Sequence, residues 1–160
     1  MVPLYRLLDA NKMRSYARQF TITKGGKLAR GEALQWPRYG IYAFIFDGKV
    51  IRFGESKSGF ERIKKGFNRQ LKTKNKKKNY HAYHFREKYS GKCTQIRYYT
   101  SSMPSLKNDE FRRAIEAELA YKYRVVKGKW PDDMIEIHFS NNLTKNQVRL
   151  VKDILNDIGI

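Results

Sequence analysis

Gly40-Ile41-Tyr42-Ala43-Phe44-Ile45-Phe46, then Asp47-Gly48, then Lys49-Val50-Ile51-Arg52-Phe53-Gly54-Glu55-Ser56 is the stretch on which the fold turns. Apolar and β-branched residues flank an Asp-Gly pair, the pattern of a β-hairpin. Two turns fit. A two-residue type I′ turn pairs Phe46 with Lys49 and sends Tyr42 and Arg52 to opposite faces. A three-residue loop with Gly48 left-handed puts Tyr42 directly across from Arg52. It gathers Ile41, Ala43, Ile45, Ile51 and Phe53 on one face, leaving Tyr42, Phe44, Val50 and Arg52 on the other. The apolar pattern favours the three-residue loop, which places a phenol and a guanidinium together.

Outward from the hairpin, Trp36-Pro37 marks entry into the first core strand, because proline biases its predecessor towards extended geometry. Residues 4–20 carry Leu4, Leu7, Leu8, Met13 and Tyr16 as a partial helical stripe. Residues 59–71 predict a helix burying Phe60, Ile63, Phe67 and Leu71. Residues 80–89 are ambiguous, 94–100 predict a strand, and Asn108 or Asp109 caps a helix running to about Arg124. Residues 135–139 predict a short strand. Thr144 caps a last amphipathic helix with Val148, Val151, Ile154, Leu155 and Ile158 on its apolar face. The expected class is α/β or α+β: a small, mainly antiparallel three-stranded sheet flanked by helices. One domain is expected over residues 1–160, with a core at about 38–142, a helical N-terminal extension over 1–37 and a C-terminal helix over 143–160.

Composition narrows the function. The 160 residues are 41% hydrophobic and 14% aromatic, enough for a core, and carry a formal charge of +19. The charge is uneven: residues 131–160 sum to −2 and residues 1–130 to +21. A surface so positive attracts polyanions and releases their counterions, which favours nucleic acid as partner. No apolar run reaches the roughly eighteen residues of a membrane span, and no lipid-inserting amphipathic anchor stands out. The N-terminus lacks a signal-peptide pattern, so the cytoplasm is the expected compartment. Cys93 is the only cysteine, which excludes an internal disulfide and a cysteine-based zinc site.

Gly40-Ile41-Tyr42, nine residues, then Arg52-Phe53-Gly54-Glu55-Ser56, followed by Arg62 in Phe60-Glu61-Arg62-Ile63-Lys64 and by Ile115-Glu116-Ala117-Glu118-Leu119, resembles the GIY-YIG nuclease superfamily over about residues 38–142. The resemblance implies a GIY-YIG-like fold and metal-dependent hydrolysis of DNA phosphodiester bonds, as in restriction, homing or mobile-element endonucleases. It makes Tyr42 the group that orients or deprotonates water, Arg62 the grip on the scissile phosphate, and Glu116 the ligand of one Mg²⁺ (or Mn²⁺). Glu116 is favoured over Glu118 because the family's glutamate is commonly followed three residues later by leucine. Asn141 or Asn142 stands where the family often has a closing asparagine. The departure is Arg52-Phe53 in place of Tyr-Ile; Arg52 there can hold a phosphate oxygen or lower a neighbouring phenol's pKa.

Other residues complete the expected site. His84, with His81 second, is the candidate auxiliary proton carrier, and Ser56 can fix phosphate or backbone. Lys57, Lys64, Lys65, Arg69, Lys72, Lys74, Lys76, Lys77 and Lys78 are the expected phosphate-backbone contacts. Each residue also has a plain structural role to set against this. Tyr42 can simply pack, Arg62 can be a solvated helix residue, and Glu116 or Glu118 can pair with Arg112, Arg113 or Lys122 at helical spacing. Double-stranded DNA is the favoured partner, with single strands or RNA as alternatives. A double-strand cut requires a homodimer, or two successive nicks by a monomer. The rival functional reading is a catalytically silent, basic nucleic-acid-binding module.

Overall fold

A five-stranded antiparallel sheet organises the chain, in the order β1-β2-β5-β3-β4. The computed structural model describes residues 5–7, 13–21, 36–61, 63, 89, 92–132, 134 and 142–160. The strands are β1 (Tyr5–Leu7), β2 (Arg14–Thr21), β3 (Gly40–Phe46), β4 (Lys49–Ser56) and β5 (Cys93–Thr100). A 3-10 turn at Pro104–Lys107 leads into α1 (Asp109–Lys127), and α2 (Lys145–Ile158) closes the chain. The class is therefore α+β with a mainly antiparallel sheet.

Among the described residues the sheet has five strands rather than three because the segment 4–20, expected to be helical, supplies β1 and β2. Tyr16 and Phe20 are both buried on one face of the sheet. Residues four apart share a face in a helix and in a strand alike, so that pair could not tell the two apart. What decides is β5: eight residues of β2 pair with it, from Arg14↔Thr100 to Thr21↔Cys93. The N-terminal segment is thus built into the sheet, not added to it.

The hairpin register also differs from expectation. Asp47 and Gly48 both have positive φ, 49° and 72°. That is the two-residue type I′ turn, and Phe46 pairs with Lys49. Between Phe44 and Ile45 the register shifts, so Phe44 pairs with Arg52 and Tyr42 with Gly54. Ile51 is the extra residue, a β-bulge that reverses the facing of everything beyond it. Tyr42 and Arg52 consequently do share a face, as diagonal neighbours rather than a direct pair. Val50 and Ile51 exchange their expected sides.

Two cores result. On one face Ile41, Ala43, Ile45, Val50, Phe53 and Tyr99 meet Ile115, Leu119, Ala120 and Tyr123 of α1 and Leu150, Val151 and Ile154 of α2. On the other, Tyr16, Phe20, Phe44, Ile51, Ile96 and Tyr98 pack with Phe60, Ile63 and Tyr89. Phe60 and Ile63 are buried as the helical spacing predicts; Phe67 and Leu71, and the expected strand at 135–139, lie outside the described residues.

Capping follows the sequence closely. The Asn108 side chain accepts from the Phe111 N–H at 3.0 Å, and Thr144 with Gln147 forms a capping box, a pairing worth about 1 kcal/mol. Helix α2 is no appendage either. Asp157 accepts from the Tyr99 hydroxyl at 3.0 Å and pairs with Arg97 at 3.1 Å, tying the helix to β5. Val148, expected on the apolar face, is 52% exposed. Among the described residues no helix is long and apolar enough to cross a membrane.

Candidate active site

Strand β4 lies at the sheet edge, so alternate main-chain N–H groups point away from the sheet and need partners. The Phe53 N–H donates to Met134 Sδ at 3.2 Å. The Glu55 N–H, next along the same edge, donates to the Glu116 carboxylate. Glu116 reaches it because residues 112, 115, 116, 119, 120 and 123 form the stripe that α1 turns towards the sheet. Two positions on that stripe are charged, Arg112 and Glu116, one helical turn apart, and both engage Glu55.

Tyr42 approaches the same edge from the opposite face of the sheet. Its ring lies across Gly54, where a Cβ would come within 2.3 Å of both Cζ and the hydroxyl oxygen. Only glycine leaves room for the phenol there. Arg52, diagonal to Tyr42, hydrogen-bonds its oxygen and acts electrostatically on Glu116. Phe44 backs the phenol edge-on, with ring centroids 5.5 Å apart. A phenol, a guanidinium and a carboxylate from β3, β4 and α1 thus couple to one another at one edge.

Their protonation follows from burial. Burial raises the Tyr42 pKa and outweighs the lowering by Arg52, while Glu116 pushes it further up. Arg52 therefore lowers the phenol's pKa, as expected, but does not win. Tyr42 is a neutral donor at pH 7, not a free base. Burial likewise raises Glu116, against Arg52 and with Glu55, to about 7. The two helix carboxylates differ: Glu118 pairs with Lys122 at 3.7 Å on its own helix, whereas Glu116 turns to the sheet edge. Of the two, Glu116 is the carboxylate that acts on Tyr42 and is acted on by Arg52.

The remaining expected residues divide three ways. Ser56 is fully buried; its hydroxyl donates to the Gly59 carbonyl at 2.8 Å and accepts from the Ser58 N–H at 3.3 Å. It fixes backbone and, being fully buried, does not present its hydroxyl to a phosphate. Lys57 is exposed beside the site, and Asn142 is exposed at the start of the segment leading into α2. Arg62, His81, His84, Lys64, Lys65, Arg69, Lys72, Lys74, Lys76, Lys77, Lys78 and Asn141 lie outside the described residues.

Sequence reading passed over two residues of the site. Arg112 is fully buried, and its guanidinium meets Glu55 at 2.7 Å, the Leu106 carbonyl at 2.6 Å and the Asp109 carboxylate. Those bonds raise its pKa against the opposing effect of burial. Glu55, half-buried, is the link between Arg112 and Glu116. The available signal was an arginine one turn before Glu116 on a mainly apolar helical stripe.

Comparison with protein-family models, curated proteins and solved structures finds no match to this chain.

Gly54→Ala tests the close approach. The new methyl displaces the Tyr42 ring, and overpacking of this kind costs about 1–3 kcal/mol. A urea titration reads the loss. A stability equal to that of the wild type would mean that the ring does not lie across Gly54.

Proposed function

We propose that this chain is a divalent-metal-dependent endonuclease that hydrolyses nucleic-acid phosphodiester bonds, with DNA as its first substrate class. The observation that supports it most is the coupling of Tyr42, Arg52 and Glu116 across Gly54 at the β4 edge. The charge of +21 over residues 1–130 supplies the attraction to a polyanion. The motif resemblance to GIY-YIG nucleases assigns the same tyrosine and the same glutamate.

The residues fit a hydrated Mg²⁺. A single carboxylate suffices for an ion that keeps most of its waters, and among the described residues no lysine pairs with Glu116 as Lys122 does with Glu118. Such an ion supplies charge to the phosphate and to the leaving oxygen. Arg52 provides a planar guanidinium for a phosphate oxygen and keeps the Tyr42 oxygen in place. Tyr42, held neutral, donates a hydrogen bond to a phosphate oxygen and orients the attacking water through its own oxygen; the water's proton passes to solvent, which returns one to the leaving oxygen. The Glu55 N–H fixes the Glu116 carboxylate. Arg62 is the further phosphate grip that the motif implies.

A second reading has its own support. Arg52 already offsets the charge of Glu116, and it stands where the family has a second tyrosine. A guanidinium that stays on the carboxylate keeps a cation away and leaves a silent binding module. Supercoiled plasmid incubated with Mg²⁺ or with EDTA separates the two. Nicking by the wild type that needs Mg²⁺ and is lost in Glu116→Ala and Tyr42→Phe supports the enzyme. Intact plasmid retarded in a salt-sensitive manner supports the module.

The pH dependence has a definite sign. Metal binding needs the ionised carboxylate, so at low Mg²⁺ the single-turnover nicking rate rises with pH towards about 7 and levels off above it. Below that value the expected slope is about tenfold per pH unit. A profile flat from pH 5.5 to 8, on the order of the window a buried carboxyl spans, would remove Glu116 from the metal-binding role.

A further inference from the structure

Tyr39 stands immediately before the Gly40-Ile41-Tyr42 strand with a φ of 59°. The left-handed region suits glycine, asparagine or aspartate; for a bulky aromatic residue it is a strained choice. Its carbonyl accepts from the Thr100 hydroxyl at 2.9 Å, which holds the backbone in that conformation. Strain at a position next to a candidate site asks what the side chain does there. The half-buried ring lies against the Arg112 guanidinium, 5.5 Å from Cζ to the ring centroid. Arg112 anchors Asp109 and Glu55.

Two exposed cations flank this group. Lys57 directly follows Ser56, the residue that pairs with Gly40 across the hairpin. Arg113 follows Arg112 on α1. Both act on Asp109, and Arg113 also acts on Glu116. Arg38 is exposed on the other side of Tyr39. The acids here are Asp109 and Glu55, both already bonded to Arg112, the half-buried Glu116 and the exposed Glu110. An aromatic ring in the neighbourhood of separated exposed cations suits a strand-binding platform, in which a base stacks and its adjacent phosphates pair.

We propose that Tyr39, Lys57 and Arg113 form a docking rim for a nucleic-acid strand beside the candidate active site, with an unstacked base on the Tyr39 ring and the adjacent phosphates on Lys57 and Arg113. The rim deepens the proposed function, resting on its nucleic-acid partner and not on hydrolysis. It also gives the strand a direction: from Lys57 past Arg113 towards Glu116. Because a stacked base must leave its duplex partner, the rim favours single strands, gaps and frayed ends over intact duplex.

Fluorescence anisotropy with a labelled single strand of about 12 nucleotides, within the span that one single-strand-binding domain covers, tests the rim in EDTA, where no cutting occurs. Tyr39→Leu, which keeps an apolar cover on Arg112, should weaken binding roughly tenfold, and Tyr39→Phe should leave it unchanged. Lys57→Gln and Arg113→Gln should each lower the slope of log affinity against log salt by about 0.7. Lys122→Gln, a cation further along α1 paired with Glu118, should leave that slope nearly unchanged. Equal losses from Lys122→Gln and Arg113→Gln, or unchanged binding by Tyr39→Leu, Lys57→Gln and Arg113→Gln, would overturn the rim. Should Tyr39→Leu fail to fold, the two cation variants decide alone. Wild type that binds the strand without nicking plasmid in Mg²⁺ leaves the rim standing and removes hydrolysis; wild type that nicks plasmid while the rim variants bind normally does the reverse. Wild type that does not bind the strand removes the rim outright.

Discussion

Glu116→Gln should reduce plasmid nicking by about 10²–10⁴-fold, the several kcal/mol that a lost metal ligand costs at the transition state. The same substitution should not harm the fold, and this separates a functional carboxylate from a structural one. Burial holds the Glu116 pKa above its ordinary value of 4.5, at about 7. Between those values the folded chain binds more protons than the unfolded one, so stability falls as pH rises. Above about 7 the penalty is complete. Glutamine carries no charge to desolvate, so without metal Glu116→Gln should match the wild type near pH 4 and exceed it on the order of 2 kcal/mol at pH 8. Urea titrations in EDTA at the two pH values measure the difference. A variant less stable than wild type at pH 8 would show that Glu116 is a structural partner of Arg52 rather than a poised ligand.

Arg112→Met should give the largest loss of stability of any single change near the site, about 2–4 kcal/mol. Methionine fills much of the volume, so the cost comes from the partners left behind. Glu55 keeps a half-buried charge and loses its ion pair with Arg112, the Leu106 carbonyl loses its donor, and the exposed Asp109 contributes little. Arg112→Lys is not a conservative exchange here, because an ammonium's donors radiate from a single nitrogen, whereas Arg112 reaches its three acceptors from three separate nitrogens. Glu55→Gln placed in the Arg112→Met chain removes the stranded charge and should restore roughly half of the loss. Denaturant midpoints of the two single variants and the double variant measure this coupling. Additive effects would mean that the Arg112–Glu55 contact carries no net energy. The site should feel the change too, since Arg112 holds the start of α1 against β4 one turn before Glu116.

The folded chain shows which parts of its sequence could be read locally. That a hairpin forms around Asp47-Gly48, and that Asn108 and Thr144 cap their helices, depends on residues within a few positions of one another. Those interactions are the same whatever surrounds them, so sequence patterns report them well. Tyr42 and Glu116 are singled out by the motif resemblance and not by packing, since a strand tyrosine can simply pack and a helix glutamate can simply pair with a basic neighbour.

Long-range pairing decided the rest. Residues 14–21 become a strand because β5 offers them a ladder, and nothing within the segment distinguishes the two periods. The bulge at Ile51 lets the turn that Asp47-Gly48 prefers coexist with Tyr42 and Arg52 on one face. Local rules had presented these as alternatives, yet one extra residue satisfies both. The Arg112–Glu55–Glu116 connection joins groups far apart in the chain, and its strength depends on burial, which only the packed structure creates. Sequence alone determined the positive charge, the hairpin, the helix ends and the chemical groups on offer. Tertiary structure decided which of those groups meet at the β4 edge, and how far burial moves their protons.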